Sequence, residues 1–471
     1  MDKKINCAFW SKLISSSLLS ILTGVSLTHS ATKLDIGAEY RLRGIQLNNP
    51  TYASELPIDT GKTINYSYYS NRAKVYVKGK FDSGVEIGTV LQAIGVSGST
   101  GPILNRYPDE KFVPFIENAY LKANDVMDWP INLTFGRQPY AWGNGMLLSD
   151  DDLGFNGIRA DIGPYWGVRS YLFAAKAQDK LIGELNSDIY LGGLSYDFGI
   201  HKVLLGTILE KDQTGSNYTD ISKIMDNPSS STNSVTSDKI SRQFIDLQIS
   251  ARLEKGAFYN LEYVMQRGSA EVPGRSIKLS GSALSFEGGF DFIHPRYKRM
   301  ILAFVFMQGS GDKSSTSDEN EKFNPSFGHK YDGLEYSGYG DFFAATPYSF
   351  FNQDKIILPV KIGDKIISQH NYTTMFSGLR MFGFRGSVNP WEPFTAGLEF
   401  YIFTALETPD IRNGAPTTID DNEIGREMVI SASYLYSNRL KFLLRWGKLF
   451  PSVNLNNIGS SRITFEVSGK F

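Results

Sequence analysis

In the closing stretch SSRITFEVSGKF, residues 460–471, Ile463, Phe465, Val467 and Phe471 share one parity, while Arg462, Thr464, Glu466, Ser468 and Lys470 share the other. Successive side chains of a strand point to opposite faces, so this alternation specifies a strand with one apolar face and one polar face. The pattern recurs in eighteen runs, at roughly 33–46, 66–82, 84–96, 113–124, 129–138, 155–163, 165–175, 187–199, 201–211, 242–255, 257–268, 276–294, 298–310, 373–388, 392–406, 424–437, 439–449 and 461–471. Connections between the runs alternate long and short. The short ones carry turn chemistry, among them Asp82-Ser83-Gly84, Gly163-Pro164, Lys255-Gly256, His294-Pro295 and Asn389-Pro390. The long ones are polar, such as DQTGSNYTDISKIMDNPSSSTNSVTSD after Lys211.

A soluble sandwich has no reason to gather its long loops at one end, whereas an outer-membrane barrel does, with short periplasmic turns and long extracellular loops. The expected fold is all-β: a transmembrane antiparallel up-and-down β-barrel of eighteen strands, sixteen being the alternative count. Aromatics at 13% and 45 glycines suit strands and tight turns. No later stretch approaches the ~18 uninterrupted apolar residues of a spanning helix. At the front, Lys3, Lys4 and Lys12 precede the apolar stretch Leu13 to Leu27 and the small residues Thr28, Ser30 and Ala31. That order reads as a secretory signal peptide over residues 1–31 ahead of a single barrel domain, 32–471. The lone cysteine, Cys7, lies inside the leader, so the barrel is held without disulfides.

Closure gives each strand a lipid face and a lumen face. In 66–82, Ala73, Val75, Val77 and Phe81 oppose Arg72, Lys74, Tyr76, Lys78 and Lys80. Cations on the lipid side would cost about 2–4 kcal/mol each near the midplane, so they face inward. The same parity places Asp35, Glu39, Arg41, Arg43, Arg159, Asp161, Asp246, Gln248, Arg252, Glu262, Gln266, Glu287, Asp291, Glu399, Glu427, Lys441 and Arg445 inside, a nearly charge-balanced set. Eighteen strands leave room for an aqueous channel. Phe471 is expected to close the barrel against the first strand, at the periplasmic rim where assembly machinery recognises a C-terminal aromatic in many outer-membrane proteins.

The stretches INLTFGRQPYAWGNGMLLSDDDLGFNGIRAD, FNPSFGHKYDGLEYSGYGDFF and IGREMVISASYLYSNRLKFLLRWGKLFPS together resemble the alginate export type of outer-membrane porin. In that likeness Gly136, Arg137 and Gln138 match a Gly-Arg-Gln element, Phe323 to Lys330 a Phe-Asn-Pro…Phe-Gly…His-Lys element, and Glu427 an acidic strand start. The resemblance implies an eighteen-stranded barrel of the bacterial outer membrane that passes an acidic polysaccharide, an oligosaccharide or another hydrophilic solute along basic pore residues. Arg41, Arg43, Arg72, Lys74, Arg137, Arg159, Arg252, Glu399, Glu427 and Arg445 are the pore-lining candidates. Arg137 shares parity with Ile131, Leu133 and Phe135, so a pore-facing Arg137 requires a bulge at Gly136 or a strand that has already left the membrane; otherwise it is an interfacial arginine. In the long loop 311–372, rich in aromatics, Phe323, Phe327, His329 and Lys330 are candidates for a constriction inside the lumen, the alternative being an outer cap.

Other function classes find less support. With 48 basic and 49 acidic residues the net charge is -1, and no nucleic-acid partner is expected. Beyond the leader the histidines are His201, His294, His329 and His370, without a nucleophile elbow or zinc spacing around them, which argues against an outer-membrane hydrolase. Asp150, Asp151 and Asp152 read as turn formers, since no EF-hand spacing follows. No metal or cofactor is expected. The expected partners are outer-membrane lipid and lipopolysaccharide, the assembly machinery and a hydrophilic solute; an adhesin or structural barrel acting through its loops is the alternative reading.

Overall fold

In the computed structural model the described residues are 33–48, 65–82, 84–98, 111–150, 154–179, 186–213, 239–253, 256–272, 275–295, 298–311, 318–326, 339–342, 361–362, 365–366, 378–406, 423–451 and 459–471. The leader and much of 311–372, including Phe327, His329 and Lys330, lie outside them. No described helix is long and apolar enough to cross a membrane.

Eighteen antiparallel strands close into one barrel. They are β1 (Lys33–Asn48), β2 (Asn65–Lys80), β3 (Val85–Gly98), β4 (Lys111–Ala123), β5 (Ile131–Gln138), β6 (Phe155–Tyr165), β7 (Val168–Asp179), β8 (Asn186–Phe198) and β9 (His201–Asp212). The second half comprises β10 (Lys239–Arg252), β11 (Gly256–Val272), β12 (Arg275–His294), β13 (Lys298–Gly309), β14 (Leu379–Trp391), β15 (Phe394–Ala405), β16 (Glu423–Ser437), β17 (Leu440–Pro451) and β18 (Ser460–Lys470). Each strand pairs with its sequence neighbour, and the seam is β1 on β18, from Glu39 opposite Lys470 to Asn48 opposite Ser461. Phe471 extends the seam by exchanging backbone hydrogen bonds with Ala38, at 2.8 and 2.9 Å. Closure leaves no sheet edge, which a span through hydrocarbon requires.

The register carries the face pattern around the circle. Arg41 lies opposite Arg72 and Glu39 opposite Lys74, while the alternate positions present Leu34, Ile36, Val75, Leu172, Phe384 and Leu398 on the exposed outer face. In water such a surface would be an aggregation hazard; around a closed sheet it is the lipid face. Trp129, Trp166, Phe198, Trp391, Tyr436 and Phe471 stand exposed around the short-turn end, Trp391 stacked on Phe394 with centroids 4.8 Å apart. They form an interfacial aromatic girdle.

Three connections differ from the sequence reading. Gly163-Pro164 lies within β6 rather than at a turn, because the Gly163 N–H still donates to the Pro130 carbonyl at 2.8 Å. The chain reverses instead at Trp166–Gly167, whose φ values of 50° and 83° give the doubly left-handed turn favoured in hairpins. Asn389-Pro390 likewise falls inside β14, with the reversal at Glu392–Pro393. At the long-loop end, β11 and β12 stay paired up to Val272 opposite Arg275, so this connection is a tight one between two extended strands.

Candidate functional site

Two stretches of chain fold into the barrel, and the wall residues explain where they attach. The inward faces of β7 to β11 are apolar at mid-height: Phe173, Ile189, Leu191, Ile208, Phe244 and Val264 are all buried. Apolar surface facing an aqueous lumen is unfavourable, and the β5–β6 connection covers it. Within that connection Ala141–Trp142 pairs with Leu148–Ser149 as a small hairpin. Tyr140 stacks on Phe173 with centroids 4.2 Å apart, and Met146, Leu147 and Leu148 are buried in the same cluster. Trp142 lies directly against Gly193 of β8 and Gly206 of β9, where any side chain would collide with the indole. Its Nε1 donates to Asp246 Oδ2 at 2.7 Å, and Asn144 Nδ2 donates to Glu262 Oε2 at 2.8 Å.

The second inward stretch belongs to the long connection after β13. Glu319–Asn320 adds in parallel to the upper part of β12, and Phe323, 1% exposed, enters the interior cluster. The Asn324 N–H donates to Gln266 Oε1 at 2.9 Å, Arg242 Nη1 donates to the Asn324 carbonyl at 2.5 Å, and the Ser326 hydroxyl donates to Glu210 at 2.5 Å. Further along, residues 339–342 meet a different part of the wall. The Tyr339 hydroxyl donates to Glu287 at 3.0 Å, the Gly340 N–H to Glu399 at 3.1 Å, and the Asp341 N–H to Glu427. Arg445 completes this attachment, Nε donating to Asp341 Oδ1 at 2.6 Å and Nη1 to Glu399 Oε1 at 2.9 Å. Burial raises the Asp341 carboxyl above its ordinary range, against the opposing pull of Arg445; burial likewise raises the Tyr339 hydroxyl.

These attachments expose a division of charge around the lumen. On the arc from β9 to β16 carboxylates predominate, with Glu210, Asp212, Asp246, Glu262, Glu287, Asp291, Glu399 and Glu427 against Arg242, Arg252, Arg299 and Arg385. Buried carboxylates need donors, and the inward stretches supply them from backbone N–H, amide, indole and hydroxyl groups. On the arc from β17 through β18 to β6, basic side chains predominate: Arg445, Arg462, Arg41, Arg43, Arg72 and Lys74, with Arg159 at its far end. Individual ion pairs occur on both arcs, Arg242 with Glu210 at 2.7 Å on the first. On the second, Arg43 pairs with Glu466 at 2.5 Å, Lys74 with Glu117 at 2.9 Å and Arg159 with Asp161 at 2.8 Å. The near balance in the sequence is therefore two unlike arcs, not a uniform mixture.

The candidate residues distribute over this geometry as follows. Arg41, Arg43, Arg72, Lys74 and Arg159 lie on the basic arc, and the Arg159 guanidinium sits 5.0 Å from the Tyr140 ring centroid. Arg445, Glu399 and Glu427 meet at the attachment of residues 339–342. Arg252 stands apart, exposed near the short-turn end, 3.4 Å from Asp291 and over the Phe258 ring at 4.7 Å. The strand register runs through Gly136 without a shift, so there is no bulge there; Arg137 stays opposite Ala119 and its Nε donates to the Glu117 carbonyl at 3.0 Å. Parity reasoning did not single out Trp142, Asn144, Glu210 or Asp341. The signal for the first two was present: in DIYLGGLSYDF and KVLLGTILE both parities are apolar, which marks strands covered on both faces.

The alginate export family matches this chain over residues 104–344. Among solved structures, the outer-membrane protein OpdK of Pseudomonas aeruginosa is similar at a TM-score of 0.52 and 11% identity, covering 93% of this chain and 98% of that one. OccK5 (OpdH) of the same organism is similar at 0.52 and 10% identity, with 93% and 98% covered. OpdK solved with vanillate aligns at 0.51 and 11% identity, again over 93% and 98%. These likenesses are of fold. No curated protein matches the chain in sequence.

Proposed function

The chain belongs to the alginate export family and is a porin-type barrel of the bacterial outer membrane, and from that premise we propose that it conducts acidic hydrophilic solutes, carboxylated saccharides of oligosaccharide size, along the basic arc of its lumen. The division of lumen charge carries this reading: cations line β1, β2, β6 and β17–β18, while the carboxylates opposite are engaged by chain folded in from two connections. An anion entering such a lumen is drawn to one side, and its carboxylates exchange water for guanidinium and ammonium donors. The inward stretches narrow the cross-section, which favours an extended single chain or a short oligomer over a bulky polymer. The vanillate found with OpdK is a carboxylate as well. No step of this function needs bond chemistry, and the reading includes a cleaved leader over residues 1–31.

Single-channel recording of the refolded barrel in planar bilayers tests it. The expected result is stable open steps with anion-selective reversal potentials, blocked by oligouronates at lower concentration than by neutral oligosaccharides of equal length. Cation selectivity, or equal block by both sugar classes, would reject the acidic-solute assignment. Intact barrels without conductance would transfer function to ligand binding by the outer loops.

A further inference from the structure

Beneath the β5–β6 hairpin lies a group of oxygens that solute passage does not use. Asp246 and Glu262 sit on neighbouring strands of the inward face, Asp246 opposite Val264 and Glu262 opposite Gln248, so the two carboxylates are diagonal neighbours. Both are buried, at 0% and 1% exposure. Each has one oxygen held from above, Asp246 Oδ2 by the Trp142 indole and Glu262 Oε2 by the Asn144 amide. Their other oxygens, Asp246 Oδ1 and Glu262 Oε1, have no hydrogen-bond partner. A third oxygen, from Gln248, shares the surroundings of Gly143 with Glu262 Oε1. Gln248 donates through Nε2 to Asn260 at 2.9 Å, which fixes the amide orientation and turns Oε1 away from Asn260. That Gln248 Oε1 and Glu262 Oε1 converge on Gly143, lying 3.2 and 3.3 Å from where a side-chain carbon would be. Gly143, with φ of 58°, puts no side chain against these two oxygens, which any Cβ there would crowd.

Two buried carboxylates side by side repel, and each unpartnered oxygen carries a desolvation cost. Neither expense is met by any side-chain cation hydrogen-bonded or ion-paired to them among the described residues. The geometry points to a bound hard divalent cation of the calcium class, held by Asp246 Oδ1, Glu262 Oε1 and Gln248 Oε1 under Gly143. All three donors are oxygens, the ligand type that hard cations take, and two carboxylates neutralise one divalent charge. The remaining positions of a six- to eight-coordinate shell are filled by water from the lumen. The ion ties the hairpin to β10 and β11 through Trp142 and Asn144, so the constriction is rigid when the site is filled. This assignment does not depend on which solute passes.

Terbium, a luminescent substitute for calcium, tests it because Trp142 lies beside the site as a sensitiser. Full-length barrel, refolded in detergent and stripped with chelator, should show saturable terbium emission on tryptophan excitation that calcium displaces, with calcium binding also detected by calorimetry. E262Q, D246N and Q248L should each weaken calcium binding by about tenfold or more. W142F should lose most of the emission while calorimetric binding persists. Q248L removes a neutral ligand, so it reports on the site even where a carboxylate variant fails to refold. Absence of saturable calcium binding in the wild-type barrel, or binding unchanged in Q248L and in whichever carboxylate variant refolds, overturns the proposal; in the first case the carboxylates share a proton instead.

Discussion

Trp142 is the residue on which the interior most visibly depends. Its ring lies against Gly193 and Gly206, it packs edge-to-face with Tyr171 with centroids 5.9 Å apart, and its indole N–H is spent on Asp246. Replacing it with Ala removes the largest apolar contact of the hairpin and strips one hydrogen bond from a buried carboxylate. Truncations of this size cost about 3–5 kcal/mol in a packed interior. The cost falls on hairpin docking rather than on barrel closure, because the strand ladder passes beneath Trp142 without relying on it. Trp142→Ala is therefore expected to raise single-channel conductance and to open residues 139–150 to added protease, while the barrel keeps its heat-modifiable mobility in gels. Unchanged conductance together with intact protection would show that the hairpin is held by Tyr140 and Leu147 instead.

At the scale of elements, the strands and the inward stretches obey different rules, and only the first were written plainly in the residues. All eighteen strands appeared as period-two runs because a lipid face and a lumen face impose opposite polarity at every second position. Turn positions slipped by two or three residues at Pro164 and Pro390, where the ladder continues past a Pro that the sequence offers as a stop. The docked segments left no periodic trace, since their order comes from single contacts: an N–H on a carboxylate, a ring on a glycine. Residues 339–342 show what such contacts imply for pH. Burial lifts the Asp341 carboxyl above 3.8, with Arg445 pulling the other way, so the docked segment holds that proton more tightly than the released one. Docking is thus fully supported below the ordinary carboxylate range and weakens as pH rises from there through the raised value. Conductance should climb from acid to neutral pH, and Asp341→Asn should flatten the climb. A pH profile that Asp341→Asn leaves intact would assign the titration elsewhere.

Across the whole molecule, closure makes charge placement meaningful. Because β18 pairs with β1, the cations of β17 and β18 join those of β1 and β2 into one continuous arc, a neighbourhood that no local stretch of sequence contains. Arg462 on β18 and Arg72 on β2 are far apart in the chain yet separated only by β1 in the wall. An arc of one sign against an arc of the other creates a transverse field, and its effect on permeating ions weakens as salt screens it, from a Debye length of about 10 Å at 0.1 M to about 3 Å at 1 M. Neutralising Arg72 and Arg159 together, as Gln, leaves the ladder and the seam untouched and removes charge from the middle of the arc and from its β6 end. Anion preference, read from reversal potentials, should fall in the double variant, with the larger change at 0.1 M salt and little at 1 M. The same neutralisation should weaken block by oligouronates and leave block by neutral sugars as it was. Should anion preference stay the same at both salt concentrations, selectivity would reside in the narrow passage between the docked segments, and the arc would serve only to hold the barrel wall together.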